Sequence, residues 1–308
     1  MSAIPVWIVW ALLGHLANGA AFVLDKTLLR KSFKRPATYS GLIGLLGFLA
    51  LVLIPFGVHL PGPTGGIWIA VSGITFVVSL WLFFDALKSG EASRVVPIIG
   101  SLIPVLTLVG TSVFLGERFA GKTLLGFATL VLATIILSGA GSRAKGKLES
   151  RTLMIAGISA LLFAVSSVTI KLAYDSDGFV TSFMFSRLIG IPTAFAILAL
   201  DGKALLELKA AIFPTNQSGG KGRTAIVLVL VAQSLGAAGF VLVQYAISLG
   251  SAAIVNALQA IQYAFLVVIA FVFAKKAPDL LGEELTRSVM IRKLIAIGFV
   301  AIGLWLVV

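Results

Sequence analysis

The sequence predicts an all-α integral membrane protein with ten transmembrane helices arranged as two inverted five-helix repeats. Three observations predict it. The 308 residues are 59% apolar and only 12% charged, with a mean hydropathy of +1.08, whereas soluble domains are about half apolar and about a quarter charged. Ten stretches are long enough to cross a hydrocarbon core, which takes roughly 20 mainly apolar residues. Short motifs recur in order between the two halves, and basic residues alternate between successive loops. The composition excludes an ordinary cytosolic enzyme, and equally a disordered or nucleic-acid-binding chain, which would need many more charges. With no cysteine there is no disulfide, thiolate zinc site or Cys nucleophile, and with only His15 and His59 there is no His-rich metal site. No cofactor and no metal are expected.

Taken in order, the first span, Ile4–Leu24, has neither a basic leading segment nor a small-residue cleavage site, so it reads as a retained helix, not a signal peptide. The following spans are Ala37–Phe56, Ile67–Leu87, Ser93–Leu115, Thr123–Ser138, Leu153–Tyr174, Phe179–Leu200, Thr224–Leu249, Ala252–Phe273 and Ile291–Val308. Most connections are tight. The longer polar joints are Gly139–Arg151, Asp201–Arg223 and Ala274–Met290, and Gly219–Gly222 reads as flexible linker. Trp7, Trp10, Trp68 and Trp305 fall near span ends, where an aromatic belt is expected.

The repeat rests on three ordered matches. Tyr39-Ser40-Gly41-Leu42-Ile43-Gly44 pairs with Phe185-Ser186-Arg187-Leu188-Ile189-Gly190. Ala86–Ala92 pairs with Ala246–Ala252, and Leu115-Gly116-Glu117 with Leu281-Gly282-Glu283. The repeats are placed at residues 1–142 and 152–308, joined by a basic loop at 143–151. Five helices is an odd number, so the second copy must sit inverted in the bilayer. Charge tests that inversion separately. Odd-numbered loops carry 20 Lys and Arg, even-numbered loops with the termini carry 3, and Arg187 inside the seventh span is the one left over. Equivalent loops of the two halves carry opposite bias. The positive-inside rule then places the odd loops in the cytoplasm of a cell-membrane protein, with both termini outside.

These residues carry a resemblance. Ala86, Gly90-Glu91-Ala92-Ser93, Val95, Pro97, Pro104 and Leu115-Gly116-Glu117 resemble the fourth-helix signature of EamA-type members of the drug/metabolite transporter superfamily. Leu281-Gly282-Glu283 with Thr286 resembles the same ending in a second repeat. The similarity implies a ten-span carrier of metabolites, amino acids or drugs, working in export. Two features depart from it. Many relatives have cytoplasmic termini, the reverse of the orientation the loops indicate here. Where the fourth span has Pro97 and Pro104, the ninth has Ala257 and Ala264.

Inverted-repeat carriers hold substrate near the midplane on helices interrupted by Gly or Pro. Pro97, Ser101 and Pro104 in the fourth span are cavity candidates, because each proline removes a backbone donor and frees a carbonyl; alternatively they kink a packing helix. Asn256, Gln259 and Gln262, with Tyr263 adjacent, recur every three residues in the ninth span and form either a polar cavity face or an interhelical ladder. Gln233 and Gln244 in the eighth span extend the polar cavity face. Arg187 offers a planar fork to an anionic group or pairs within the protein. His15 and Asn18 share one face of the first span, and Trp81 supplies an apolar wall.

No carboxylate sits near a span centre, so no proton-relay acid is visible. Paired carboxylates and nucleophile sets are missing from the spans too, which argues against an intramembrane enzyme. The function expected is transport of a small organic solute by alternating access; a lipid flippase or a small-molecule channel is the alternative. The partners expected are a small-molecule substrate and the lipid bilayer, with no nucleic acid, and the protein is a monomer or weak homodimer.

Overall fold

The computed structural model describes residues 4–28, 35–90, 92–139, 148–212, 221–273 and 287–308. These residues form helices and connections, with no strand among them. The helices are α1 (Val6–Leu28), α2 (Pro36–Leu45), α3 (Pro63–Ser89), α4 (Ala92–Phe114), α5 (Gly121–Gly139), α6 (Ser150–Asp177), α7 (Phe179–Leu200), α8 (Gly202–Ile212), α9 (Lys221–Leu249), α10 (Ala252–Ala257), α11 (Ala260–Phe273) and α12 (Arg287–Val307). The chain is an all-α, multi-pass membrane protein. Among the described residues, nine segments are long and apolar enough to cross a bilayer. The one expected span not among them, the eighth, falls in α9, whose described apolar stretch is Ser234–Leu249. The seventh span coincides residue for residue with α7. Glu91 and the Leu281–Glu283 motif lie outside the described residues.

Three features differ from the sequence reading. The second span changes winding at Leu46 and continues as a 3-10 helix over Leu46–Phe56. The joint Asp201–Arg223, expected to be loop, contains α8. The ninth span, expected as one helix, is two, α10 and α11, parted at Leu258 and Gln259. By contrast α4 continues through both of its prolines.

The chain divides into two compact units, and each draws helices from both halves of the sequence. One unit is Met1–Lys31, Arg118–Lys145 and Asn216–Val308, holding α1, α5 and α9 to α12; the other is Ser32–Glu117 and Gly146–Thr215, holding α2 to α4 and α6 to α8. Lipid tails are as apolar as leucine, so helices in hydrocarbon associate through close packing and hydrogen bonds. In the second unit both devices join α3 to α6. The Ser72 hydroxyl donates to the Ser166 carbonyl and the Ser166 hydroxyl to that of Ser72, both at 3.1 Å. Ser159 donates to the Ser79 carbonyl at 2.9 Å. Gly73 lets Ser186 of α7 approach so closely that a Cβ would strike its carbonyl oxygen.

In the first unit Gly14 of α1 lies against Gly239 and Val243 of α9, and Gly126 of α5 lies against Gly303 and Leu306 of α12. The α5–α12 pair is antiparallel, since Gly303 also meets Leu130. A side chain at Gly126 would meet Leu306 Cβ at 2.8 Å and the Gly303 carbonyl at 2.9 Å. Overpacking of this kind costs about 1–3 kcal/mol. Gly126→Leu should therefore lower Tm by several degrees in detergent-solubilised protein, read by thermal unfolding.

Helix α8 crosses the end of α2. Arg35 Nη1 donates to both carboxylate oxygens of Asp201 at 3.0 and 2.9 Å, and Thr38 donates to Glu207 at 2.7 Å and to the Ala204 carbonyl at 3.3 Å. Contacts from two turns of α8 thus all fall within one turn of α2. The Arg35 guanidinium holds the Asp201 carboxyl below the usual carboxylate range. Its stabilising effect is full above that range and is lost as pH falls through the lowered value. Both side chains are about one-third exposed (35% and 31%), so the pair contributes less than about 1 kcal/mol. Asp201→Asn should accordingly cost that little at pH 7, and the gap from wild type should close on acidification below the carboxylate range, as measured by Tm against pH.

Candidate functional site

In the first unit the site candidates gather at the break in the ninth span. In an unbroken helix the Val255 carbonyl would receive the Gln259 N–H. That N–H instead bonds the Asn256 carbonyl at 3.2 Å, and Gln262 N–H bonds the Gln259 carbonyl at 3.0 Å, so the chain tightens through the junction and Val255 is released. His15 of α1 takes its place, with Nε2 2.9 Å from the Val255 oxygen. A carbonyl only accepts, so Nε2 carries the hydrogen, and in a neutral ring Nδ1 is left as an acceptor. The Gln262 side chain also hydrogen-bonds the ring. Ser251 caps the start of α10, accepting from Ile254 N–H. A buried polar cluster thereby joins α1 to both sides of a helix break.

Around it stand the other amides. Gln259 Nε2 donates to the Tyr263 hydroxyl at 3.4 Å, and Asn256, Gln259, Gln262 and Tyr263 are all half-buried. Because the break falls between Asn256 and Gln259, the three amides are not one stripe on a continuous helix, as spacing alone indicated. Asn18, one turn beyond His15, faces Gly239, where any side chain would collide with its Oδ1. Gln244 is half-buried on α9, beside Tyr245, whose ring meets Trp10 edge-on at 5.9 Å. The side chain of Gln233 lies outside the described residues.

In the second unit Arg187 is the centre. Its Cζ lies 4.1 Å from the ring centroid of Phe76 on α3 and 5.7 Å from that of Phe183, one turn earlier on α7. Nε donates to Ser186 Oγ at 3.5 Å. Phe163 of α6 meets Phe76 edge-on at 6.1 Å, extending the aromatic wall. A guanidinium over ring faces gains from the ring quadrupole, more so out of water. Gly47 in the 3-10 stretch runs against the Arg187 carbonyl, so backbone and side chain of this residue are both enclosed. Pro97 and Pro104 are buried in α4, Ser101 donates to the Ile98 carbonyl at 3.2 Å, and Trp81 packs on a cluster that includes Ala37, Val77 and Leu198.

Sequence reasoning did not find the Val255 carbonyl or the ring faces on Arg187. Phe183 was within reach of a helical spacing argument, being four residues before Arg187, but Phe76 belongs to another span. It also counted Lys293 with the ninth loop. That lysine is in α12 and only 2% exposed. From the antiparallel packing on α5, it lies level with the C-terminal turn of α5, where helix carbonyls favour a cation. Among the described residues no group of three His, Asp or Glu is placed to hold a metal ion.

Residues 5–139 match the EamA-like transporter family. A Sinorhizobium protein described as an uncharacterized transporter in the cobO 3′ region is 28% identical over 137 residues, covering 43% of this chain and 96% of that protein. A crystal structure of another protein superposes with a TM-score of 0.66 over 98% of this chain and 97% of its own, at 17% identity, a likeness of fold. The family match, over under half of the chain, and the Sinorhizobium relative both point to a membrane transporter.

The carbonyl at Val255 has a stated dependence on one side chain. His15→Ala should cost about 1–3 kcal/mol, the usual loss when a buried acceptor is stranded. His15→Gln, whose amide still donates, should restore most of the Tm lost.

Proposed function

We propose that this protein is an EamA-type membrane transporter that moves small organic solutes out of the cell by alternating access. One observation carries the reading: the ninth span is broken without a proline, at a point where His15, Asn256, Gln259 and Gln262 converge. Membrane carriers bind solutes where helices are interrupted, because unwound backbone offers hydrogen bonds that an intact helix keeps for itself. The amides supply donors and acceptors together, which suits uncharged or zwitterionic groups. Tyr263 adds a ring wall and a hydroxyl. The His15–Val255 bond keeps the released carbonyl satisfied when no solute is bound.

Within the second unit Arg187 is assigned to charge selection, its planar guanidinium suiting an anionic group of a solute. Asn18, Gln233 and Gln244 are assigned to the polar set of the first unit, and Pro97, Ser101, Pro104 and Trp81, in the second unit, to solute contacts there.

The ten-span plan of two inverted repeats, 1–142 and 152–308, is supported by the ordered motif matches and by the 20-to-3 loop charge split. It is supported also by packing: α1 lies on α9 as α6 lies on α3, and α1 lies on α11 as α6 lies on α4, the pairings expected when sixth, eighth and ninth spans repeat first, third and fourth. The Sinorhizobium relative, matched nearly end to end by under half of this chain, is consistent with a duplicated unit. Loop charge supports odd loops on the cytoplasmic side.

The test is uptake of candidate solutes, amino acids and cationic drugs first, into proteoliposomes containing the purified protein. Gln259→Ala and Gln262→Ala should each lower the rate at least tenfold while Tm stays within a few degrees. Unchanged uptake in both would remove the ninth-span break as the binding site.

A further inference from the structure

We propose that a groove between α3, α4 and α6, all in one compact unit, binds a single phospholipid acyl chain. The groove has a volume of about 390 Å³ and is lined by Trp68 and Val71 of α3, Leu106 and Phe114 of α4, and Leu161 and Leu172 of α6. Its occupant is fixed by chemistry, length and width.

The chemistry excludes a polar solute. The one hydroxyl in the wall, on Thr169, already donates to the Val165 carbonyl of its own helix at 2.8 Å. A solute with several hydrogen-bonding groups would lose its hydration and recover little of it. The length matches one leaflet. From Leu161 to Leu172 the floor covers eleven helical steps, about 17 Å of helix, against about 15 Å for half of a hydrocarbon core.

The pairing of Ser72 with Ser166 and of Gly62 with Asp177 puts Trp68 level with Leu172, at the end of the groove nearest the ends of the spans. An indole at that level suits the boundary between headgroups and chains.

The width excludes a protein segment. A helix about 10 Å across and about 17 Å long fills on the order of 1,300 Å³, far more than the groove's volume of about 390 Å³. An unbranched chain fits and a second copy of the protein does not. The wall remains open on one side: Phe114 is 67% exposed and Leu161 49%, so a chain enters laterally from the bilayer without any opening of the helices.

The experiment uses the full-length protein in vesicles containing a trace of phosphatidylcholine with a diazirine in one acyl chain. After irradiation, labelled peptides are quantified by mass spectrometry. Peptides covering Leu106–Phe114 and Leu161–Leu172 should carry at least threefold more label than the exposed face of α12 around Ile291 and Ile295. Val165→Phe, which fills the floor, should bring that excess down to the level of α12, whereas Val165→Ala should preserve it; Tm confirms that both variants are folded. Even labelling of all lipid-facing helices, or an excess untouched in folded Val165→Phe, overturns the proposal. Because the readout is labelling, it stands or falls separately from the transport reading.

Discussion

A backbone carbonyl inside hydrocarbon has no water to turn to, and each one left unsatisfied costs several kcal/mol. That constraint makes helix almost obligatory in the spans, and it gives meaning to the place where helix stops. At Leu258 and Gln259 the i to i−4 ladder is interrupted, and Val255 must find another donor. It finds His15, 240 residues away in sequence. The break therefore requires α1 to be packed on the ninth span, and requires this particular side chain at this level of α1. Gln262, bonded to the same ring, ties the far side of the break into the same arrangement.

The second constraint is that apolar surface does not draw helices together in lipid. Association in both units runs through glycine and serine. Gly14 against Gly239, Gly126 against Gly303 and the reciprocal Ser72–Ser166 bonds bring backbones close enough for dispersion to act. The large side chains left over face outward, as Val52 at 71% exposure and Trp305 at 70% illustrate. Between α3, α4 and α6 the same rule leaves an apolar groove.

Arg187 and Lys293 show how buried cations are accommodated without a fixed role being written in their spacing. Arg187 lies over Phe76 and beside Phe183. Lys293 lies level with the end of α5. Phe76 belongs to another span, and α5 is far from Lys293 in sequence, so a one-dimensional reading sees the charge and not its surroundings. Arg187 was recognisable as exceptional because it interrupts an apolar run. Lys293 was not, because it follows Arg287 and Arg292 and looks like the tail of a basic loop.

The membrane class, the positions of the spans and the coincidence of the seventh with α7 were determined by the sequence alone, since bilayer thickness sets a length that composition must meet. So was the concentration of amides in the ninth span. The tertiary structure decided where helices fail: two prolines leave α4 continuous, while the ninth span, with alanines at the matching positions, breaks. Proline removes one donor and is tolerated if neighbours make up the loss. A break without proline is stable only where a donor from another helix waits for the released carbonyl, and the position of His15 relative to Val255 is a property of the packed protein.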